Sequence, residues 1–297
     1  MKSYFIITLF LSFIMLFLPF LSLSDNFAYA PQSEKITVAD ETGNVKDKTE
    51  LSDYLVGVVA AEMPATFHEE ALKAQAVAAY SYYKYQTENG KEAITDSSAV
   101  HQEYKTKEEL KEFWGDKYDF YLQKIEETVS AVSGEYLVSE GKAVPALYHA
   151  LSSGMTESAE IVFGKEVLSL KSVTSPGDRL SPDYISEKAF TKEEICSLTD
   201  FKGNGEKIEI TQSTDSKFVK QIIVFGKEYD GKEIRTLLNL NSPYFTVKKQ
   251  DEKYIFTVYG KGHGVGMSQY SADYMARQGS SYEEILMHFY SECSIAK

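Results

Sequence analysis

The chain of 297 residues is long enough to bury a real core, as one large domain or two smaller ones. Its 43% hydrophobic and 25% charged residues are ordinary for a globular protein. A formal net charge of -13 argues against nucleic acid or another polyanion as partner and leaves a neutral polymer such as a glycan open.

In chain order, residues 1–30 stand apart. Tyr4 to Leu23 carry no charge, a run long enough to span a bilayer as a helix. Lys2 before it and Asp25 after it favour a cytoplasmic N-terminus. Ala28-Tyr29-Ala30 fits the small-x-small pattern of a signal-peptide cleavage site. An uncleaved anchor and a cleaved signal both remain open, and either sends the rest of the chain outside the cytoplasm. Residues 31–49 are polar and read as a linker, with one β-like run at Ile36–Val38 that would serve as a first strand.

The domain proper is expected over residues 50–297. Leu51, Tyr54, Leu55, Val58 and Val59 recur at helical spacing, with Ser52 as the cap and a helix end near Glu62, before Pro64. A second helix is predicted over 68–86, its Ala71, Ala74, Ala76, Ala78 and Ala79 smooth enough for close packing at the centre of the domain. Helices over 107–114 and 119–133 follow, then strands over 135–139 and 143–149. Residues 165–190 read as irregular, and 191–199 as a short capped helix. From Lys207 the pattern alternates as strands do, with Asp230-Gly231 as a turn signal and a short helix at 234–240. A glycine-rich loop leads into helices over 268–278 and 282–290. The expected class is α+β: a helical N-terminal part packed with antiparallel strands, a glycine-rich strand–loop–helix near the C-terminus, and a cleft between them.

Two features invite chemistry. Glu62 follows the apolar run Val58–Ala61 at the end of a helix. Apolar surroundings and the negative end of the helix dipole both disfavour its charge, so it would stay protonated near neutral pH, as a general acid must. The alternative is a glutamate that turns into water at a helix end. The second feature is GKGHGVGMSQY, residues 260–270, where Gly260, Gly262, Gly264 and Gly266 alternate around His263. It matches neither the Walker A nor the dinucleotide fingerprint. Glycine at this density points to backbone that bends sharply or is closely approached. His263 then faces a cleft or serves as a hydrogen-bonded structural residue. The 21 tyrosines would suit stacking on sugars, although most are expected in core or surface roles. No Cys-x-x-Cys or His-Glu-x-x-His occurs, so no metal or other cofactor is expected, and Cys196 and Cys293 are too few for a disulfide framework.

Three stretches together resemble the stage II sporulation protein D family: VVAAEMPATFHEEALKAQAVAA (58–79), YHALSSGMTES (148–158) and GKGHGVGMSQYSADYMARQG (260–279). EIRTLLNLNSPYFTV (233–247) looks like the family's stretch before its glycine loop, and the resemblance runs over residues 50–297. It implies a lytic transglycosylase that cleaves between N-acetylmuramic acid and N-acetylglucosamine in peptidoglycan strands, preferably ones stripped of peptides. It also implies a role in engulfment during sporulation, beside a peptidoglycan amidase and a membrane protein. Glu62 is the implied catalytic acid.

The resemblance carries further expectations for the substrate cleft. Tyr148, His149, Ser152 and Ser153 would border it, with a core role for His149 as the alternative. His101 and Gln102 lie where relatives carry polar residues. His263 and Gly264 would bring the glycine loop to the sugar, and Ser268 and Gln269 would cap the next helix or bind acetamido groups. Tyr80, counted among the substrate contacts, stands with Ser81 where the family usually has arginine-threonine; the missing positive charge keeps a non-catalytic glycan- or amidase-binding scaffold of the same family as the alternative. Some relatives hold zinc after the second helix through cysteines and histidines. Here that loop offers His101 and no cysteine, so no zinc is expected.

Overall fold

A computed structural model of the chain describes residues 35–39, 42, 44–88, 94–95 and 102–297. The segment expected to anchor or export the protein, 1–30, lies outside the described residues, as does His101. Among the described residues no helix is long and apolar enough to cross a membrane.

The stretch 31–49 contains two strands, β1 (Lys35–Ala39) and β2 (Val45–Glu50). A third, β3 (Ile94–Thr95), pairs in parallel with β1, in the order β2-β1-β3. Because β2 runs straight into α1 (Leu51–Glu62), the helix starts at Leu51 with Glu50 as an N-cap that makes no side-chain bond. Ser52 therefore sits inside the first turn and caps nothing, contrary to expectation. The far end falls at Glu62 as the sequence suggested.

The alanine-rich helix α2 (Glu69–Glu88) is the axis of the helical part, and Ala71, Ala74, Ala76, Ala78 and Ala79 are all buried. Their small side chains let α1, α4 (Tyr118–Ala131), α8 (Gln269–Arg277) and α9 (Tyr282–Phe289) pack around it. The hydroxyl of Ser81 donates to Val77 O at 2.6 Å and accepts from the Leu137 N–H at 2.8 Å, which ties α2 to strand β4 (Tyr136–Ser139). Helix α3 (Lys107–Trp114) begins in a capping box between Thr106 and Glu109.

Residues 143–149 do not form one strand. β4 turns through Glu140 and Gly141, both at positive φ, into β5 (Lys142–Ala143), and the regular pairing stops before Pro145. Proline has no N–H for the ladder. Tyr148–His149 is a separate short strand, β6, parallel to β13 (Met267–Ser268). The C-terminal β14 (Ser294–Ala296) pairs with β4, giving the order β14-β4-β5.

Between these, a short α5 (Ala159–Phe163) leads into the region read as irregular, which ends in a strand, β7 (Ile185–Thr191). β7 is the edge of the antiparallel sheet β11-β12-β7, formed with β11 (Phe245–Gln250) and β12 (Lys253–Tyr259). An edge strand with one wet face carries few buried residues, so the apolar signal is thin. The capping box Thr191–Glu194 starts α6 (Lys192–Leu198). A second antiparallel sheet, β10-β9-β8, consists of β8 (Ile208–Ser213), β9 (Val219–Val224) and β10 (Lys227–Asp230). Its hairpin turns at Phe225-Gly226, both at positive φ. Asp230-Gly231 is thus no hairpin turn: the Asp230 carboxylate accepts the Lys232 N–H at 2.7 Å and opens α7 (Gly231–Leu237) three residues before the expected start. Two hydrophobic clusters result, one around α1, α2, α8 and α9, the other between the two antiparallel sheets. The architecture is α+β.

Candidate active site

Glu62 is positioned by its own helix. Leu55, Val56, Val58, Val59 and Ala60 are buried, and Met63 behind it is 1% exposed. The Met63 N–H closes the last turn on Val59 O at 3.0 Å, and the extended backbone at Met63 ends the helix. The carboxyl is left half-buried at the wall of a cavity of about 490 Å³. Burial pushes its pKa up to about 7, and the negative charge of Glu103 pushes the same way. Two hydrogen bonds work against this: the Glu103 N–H donates to Oε1 at 2.7 Å, and the Gln269 side chain reaches the same carboxyl. The net result is a group that holds and releases a proton near neutrality.

Gln269 is the first residue of α8, and its amide also reaches Gln75 Oε1 on α2 at 3.3 Å. Behind the acid, Tyr148 donates to Gln102 Oε1 at 2.8 Å, and the Gln102 amide donates to the Tyr54 hydroxyl at 3.1 Å. This buried chain joins β6 to α1. Burial and the nearby Glu62 hold the Tyr148 hydroxyl well above its usual pKa, so it stays protonated and remains a donor.

The glycine loop packs backbone to backbone against residues 147–157. Lys261 and Leu151 exchange two hydrogen bonds, of 2.7 and 3.0 Å. Glu157 N–H donates to Gly264 O at 2.7 Å, and Met267 N–H to Leu147 O at 3.0 Å. A Cβ on Gly264 would stand 2.0 Å from the Tyr244 hydroxyl, and one on Gly266 would stand 1.9 Å from Leu147 O. Both have positive φ, +81° and +74°, so only glycine meets both constraints. The close approach is to the protein's own chain.

The two histidines of this region share that structural setting. His149 Nδ1 faces Val265 O at 3.2 Å, so Nδ1 carries the proton. His263 Nδ1 instead accepts the Val265 N–H at 3.0 Å. The rings lie 5.7 Å apart. Burial drives their pKa values down to about 3 and about 4, so both are neutral near pH 7. Neither is among the residues that line the cavity.

Ser152 and Ser268 converge on a residue the sequence did not single out, Asp178. Its carboxylate accepts the Ser152 N–H at 2.8 Å, the Ser152 hydroxyl at 2.6 Å and the Ser268 hydroxyl at 2.8 Å. Ser268 Oγ also accepts the Ser271 N–H, which makes it the N-cap of α8. The hydroxyl of Ser153 donates to Ser216 O at 2.7 Å. Tyr80 packs against Tyr83 and Tyr136, away from the lining. Of the expected site residues, Glu62 and Gln269 share the cavity wall. Gln102 and Tyr148 back them, and Ser152, Ser153, Ser268, His149, His263 and Gly264 hold together the loops that frame it.

Sequence reasoning missed the rest of the wall. Phe113, Trp114 and Tyr121 line it, as do Asp183 and Lys261. Asp183 is a second carboxylate on the cavity, exposed, where none was foreseen. The available signal was the aromatic density of residues 113–121, at the junction of the two helices predicted over 107–114 and 119–133. Among the described residues no three His, Cys, Asp or Glu side chains are grouped as a metal site.

A family model described as Stage II sporulation protein matches residues 39–138. The chain is 38% identical over 255 residues to Stage II sporulation protein D of Bacillus subtilis (strain 168), an alignment covering 83% of this chain and 74% of that protein. It is 37% identical over 255 residues to Stage II sporulation protein D of Bacillus amyloliquefaciens, with the same coverage. Against the amidase enhancer of Bacillus subtilis it is 27% identical over 294 residues, covering 80% of this chain and 39% of that protein. Identity of this degree over most of both chains establishes that the chain belongs to the stage II sporulation protein D family.

Proposed function

We propose that the chain is a lytic transglycosylase acting on peptidoglycan glycan strands, with Glu62 as its acid. The observation that carries this is a lone glutamate with its pKa pushed up to about 7, at the wall of a cavity large enough for sugar rings. Glu62 gives its proton to the bridging oxygen as the bond to the anomeric carbon breaks, leaving an oxocarbenium-like centre. The C6 hydroxyl of the muramic residue attacks that carbon. Its proton returns to the Glu62 carboxylate, and the product carries a 1,6-anhydro end. A group whose pKa lies near the working pH serves both steps.

The sporulation relatives support a role in wall remodelling during spore formation, specifically engulfment. The name of the amidase enhancer supports work beside a peptidoglycan amidase, and a membrane protein of the engulfment machinery completes the proposed set. The apolar run at 4–23 supports export, as an anchored or released protein.

Asp183 in the same wall favours a second reading, hydrolysis with Asp183 as base for an attacking water. Mass spectrometry of products from peptide-free strands decides between them. Anhydro ends that vanish in Glu62→Gln are expected. Reducing ends that depend on Asp183 would replace the mechanism, and strands bound but left intact would make the protein a binding module.

A further inference from the structure

The cavity wall combines aromatic rings with polar groups. Helix α3 and the start of α4 contribute the aromatic rings of Phe113, Trp114 and Tyr121, whereas the loops at 181–183 and 261 contribute Ser181, Asp183 and Lys261. Phe113 is 64% exposed, and Phe120, whose ring centre lies 5.6 Å from that of Tyr121, is 70% exposed. Two large rings thus stand in water where α3 meets α4. Trp114 stands edge-on to Tyr121 at 5.6 Å, which fixes the orientation of both rings. The Lys105 ammonium sits 5.5 Å from the Phe113 ring centre, and Lys105 is also paired with Glu103, whose N–H holds the acid.

We propose that Phe113, Trp114 and Tyr121 form a saccharide-stacking subsite that holds a sugar ring beside the one being cleaved. A pyranose presents an apolar C–H face and a polar rim. A cavity lined by aromatic rings and by hydroxyl, carboxylate and ammonium groups matches both halves. The proposal rests on the glycan-cleaving reading above and names its positioning residues. These three side chains touch the substrate away from the reacting atoms, so their loss weakens binding and leaves the chemistry at Glu62 intact.

Trp114 is the one tryptophan in the chain, so its emission reports on the subsite directly. The full chain carrying Glu62→Gln, in detergent, is titrated with peptide-free glycan oligosaccharides while emission and calorimetric heat are recorded. A saturable change in emission is expected, with affinity about tenfold weaker in Phe113→Ala and restored in Phe113→Tyr. In the protein with Glu62 intact, Phe113→Ala should raise KM by a similar factor at unchanged kcat. Because Phe113 is mostly exposed, this variant keeps the fold, which circular dichroism checks. Heat of binding without any emission change, and with Phe113→Ala binding as tightly as its parent, would overturn the subsite while the enzyme reading stands. No binding in the Glu62→Gln chain together with no product from the parent would overturn both.

Discussion

At the scale of single residues, the proton on Glu62 sets the pH behaviour. Its folded pKa of about 7 lies above the usual 4.5, so the folded chain binds this proton more tightly than the unfolded one. The contribution is favourable below the unfolded value and is lost as pH rises through about 4.5 to 7. Glu62→Gln removes that loss. Its melting temperature should match the parent's near pH 5 and exceed it at pH 8, by on the order of 1–3 kcal/mol of stability. Activity runs in parallel: kcat/KM should fall as pH rises through about 7, and Glu62→Gln should cost roughly 10²–10⁴-fold below pH 7 and progressively less above it. A profile flat from pH 6 to 9 would remove Glu62 from the acid role. Asp178 makes the opposite kind of prediction. Burial raises its pKa, while the Ser152 and Ser268 hydroxyls and the Ser152 N–H oppose that rise. Asp178→Ala leaves these donors without their acceptor, and urea unfolding should show a loss of roughly 2–4 kcal/mol.

At the scale of elements, the glycine loop answers the question its composition raises. Its glycines allow two loops to pack main chain against main chain, which carries Lys261 and Gln269 to the cavity. Gly264→Ala combines a positive φ with a contact at 2.0 Å from the Tyr244 hydroxyl, so it should destabilise by about 2 kcal/mol or more and reduce activity with it. A melt indistinguishable from the parent's would show that the loop yields easily. Elements with strong local signals were legible: the Thr191–Glu194 capping box, the alanine run of α2 and the stop after Glu62. Elements decided by neighbours were not. Ser52 looks like a cap until β2 delivers the chain into the helix two residues earlier, at Glu50. Val144 and Leu147 look like one strand until Pro145 breaks the ladder between them.

At the scale of the whole molecule, the two hydrophobic clusters separate the cysteines. Both are free, Cys293 packing against the helical cluster and Cys196 against the β cluster. A reducing agent should leave the melting temperature unchanged, and both thiols should react with a thiol reagent once the chain is unfolded. The cavity gathers its wall from α1, from the α3–α4 corner, and from loops near residues 150, 181 and 261. These segments are distant in sequence and meet only in the folded chain.

The sequence by itself determined the helix that carries Glu62 and where it ends, because an apolar run that ends in Glu-Met-Pro specifies the stop locally, while it left the burial of the carboxyl open. It also determined that the loop at 260–266 would be tight, since glycine at alternate positions has few other uses. Only the tertiary structure decided what those pieces face. Asp178, Asp183 and the aromatic rim carry no local signature, since a buried aspartate or an exposed ring gains its meaning from chain segments far away in sequence. Through-space proximity is set by packing, and neither residue spacing nor residue type encodes it position by position.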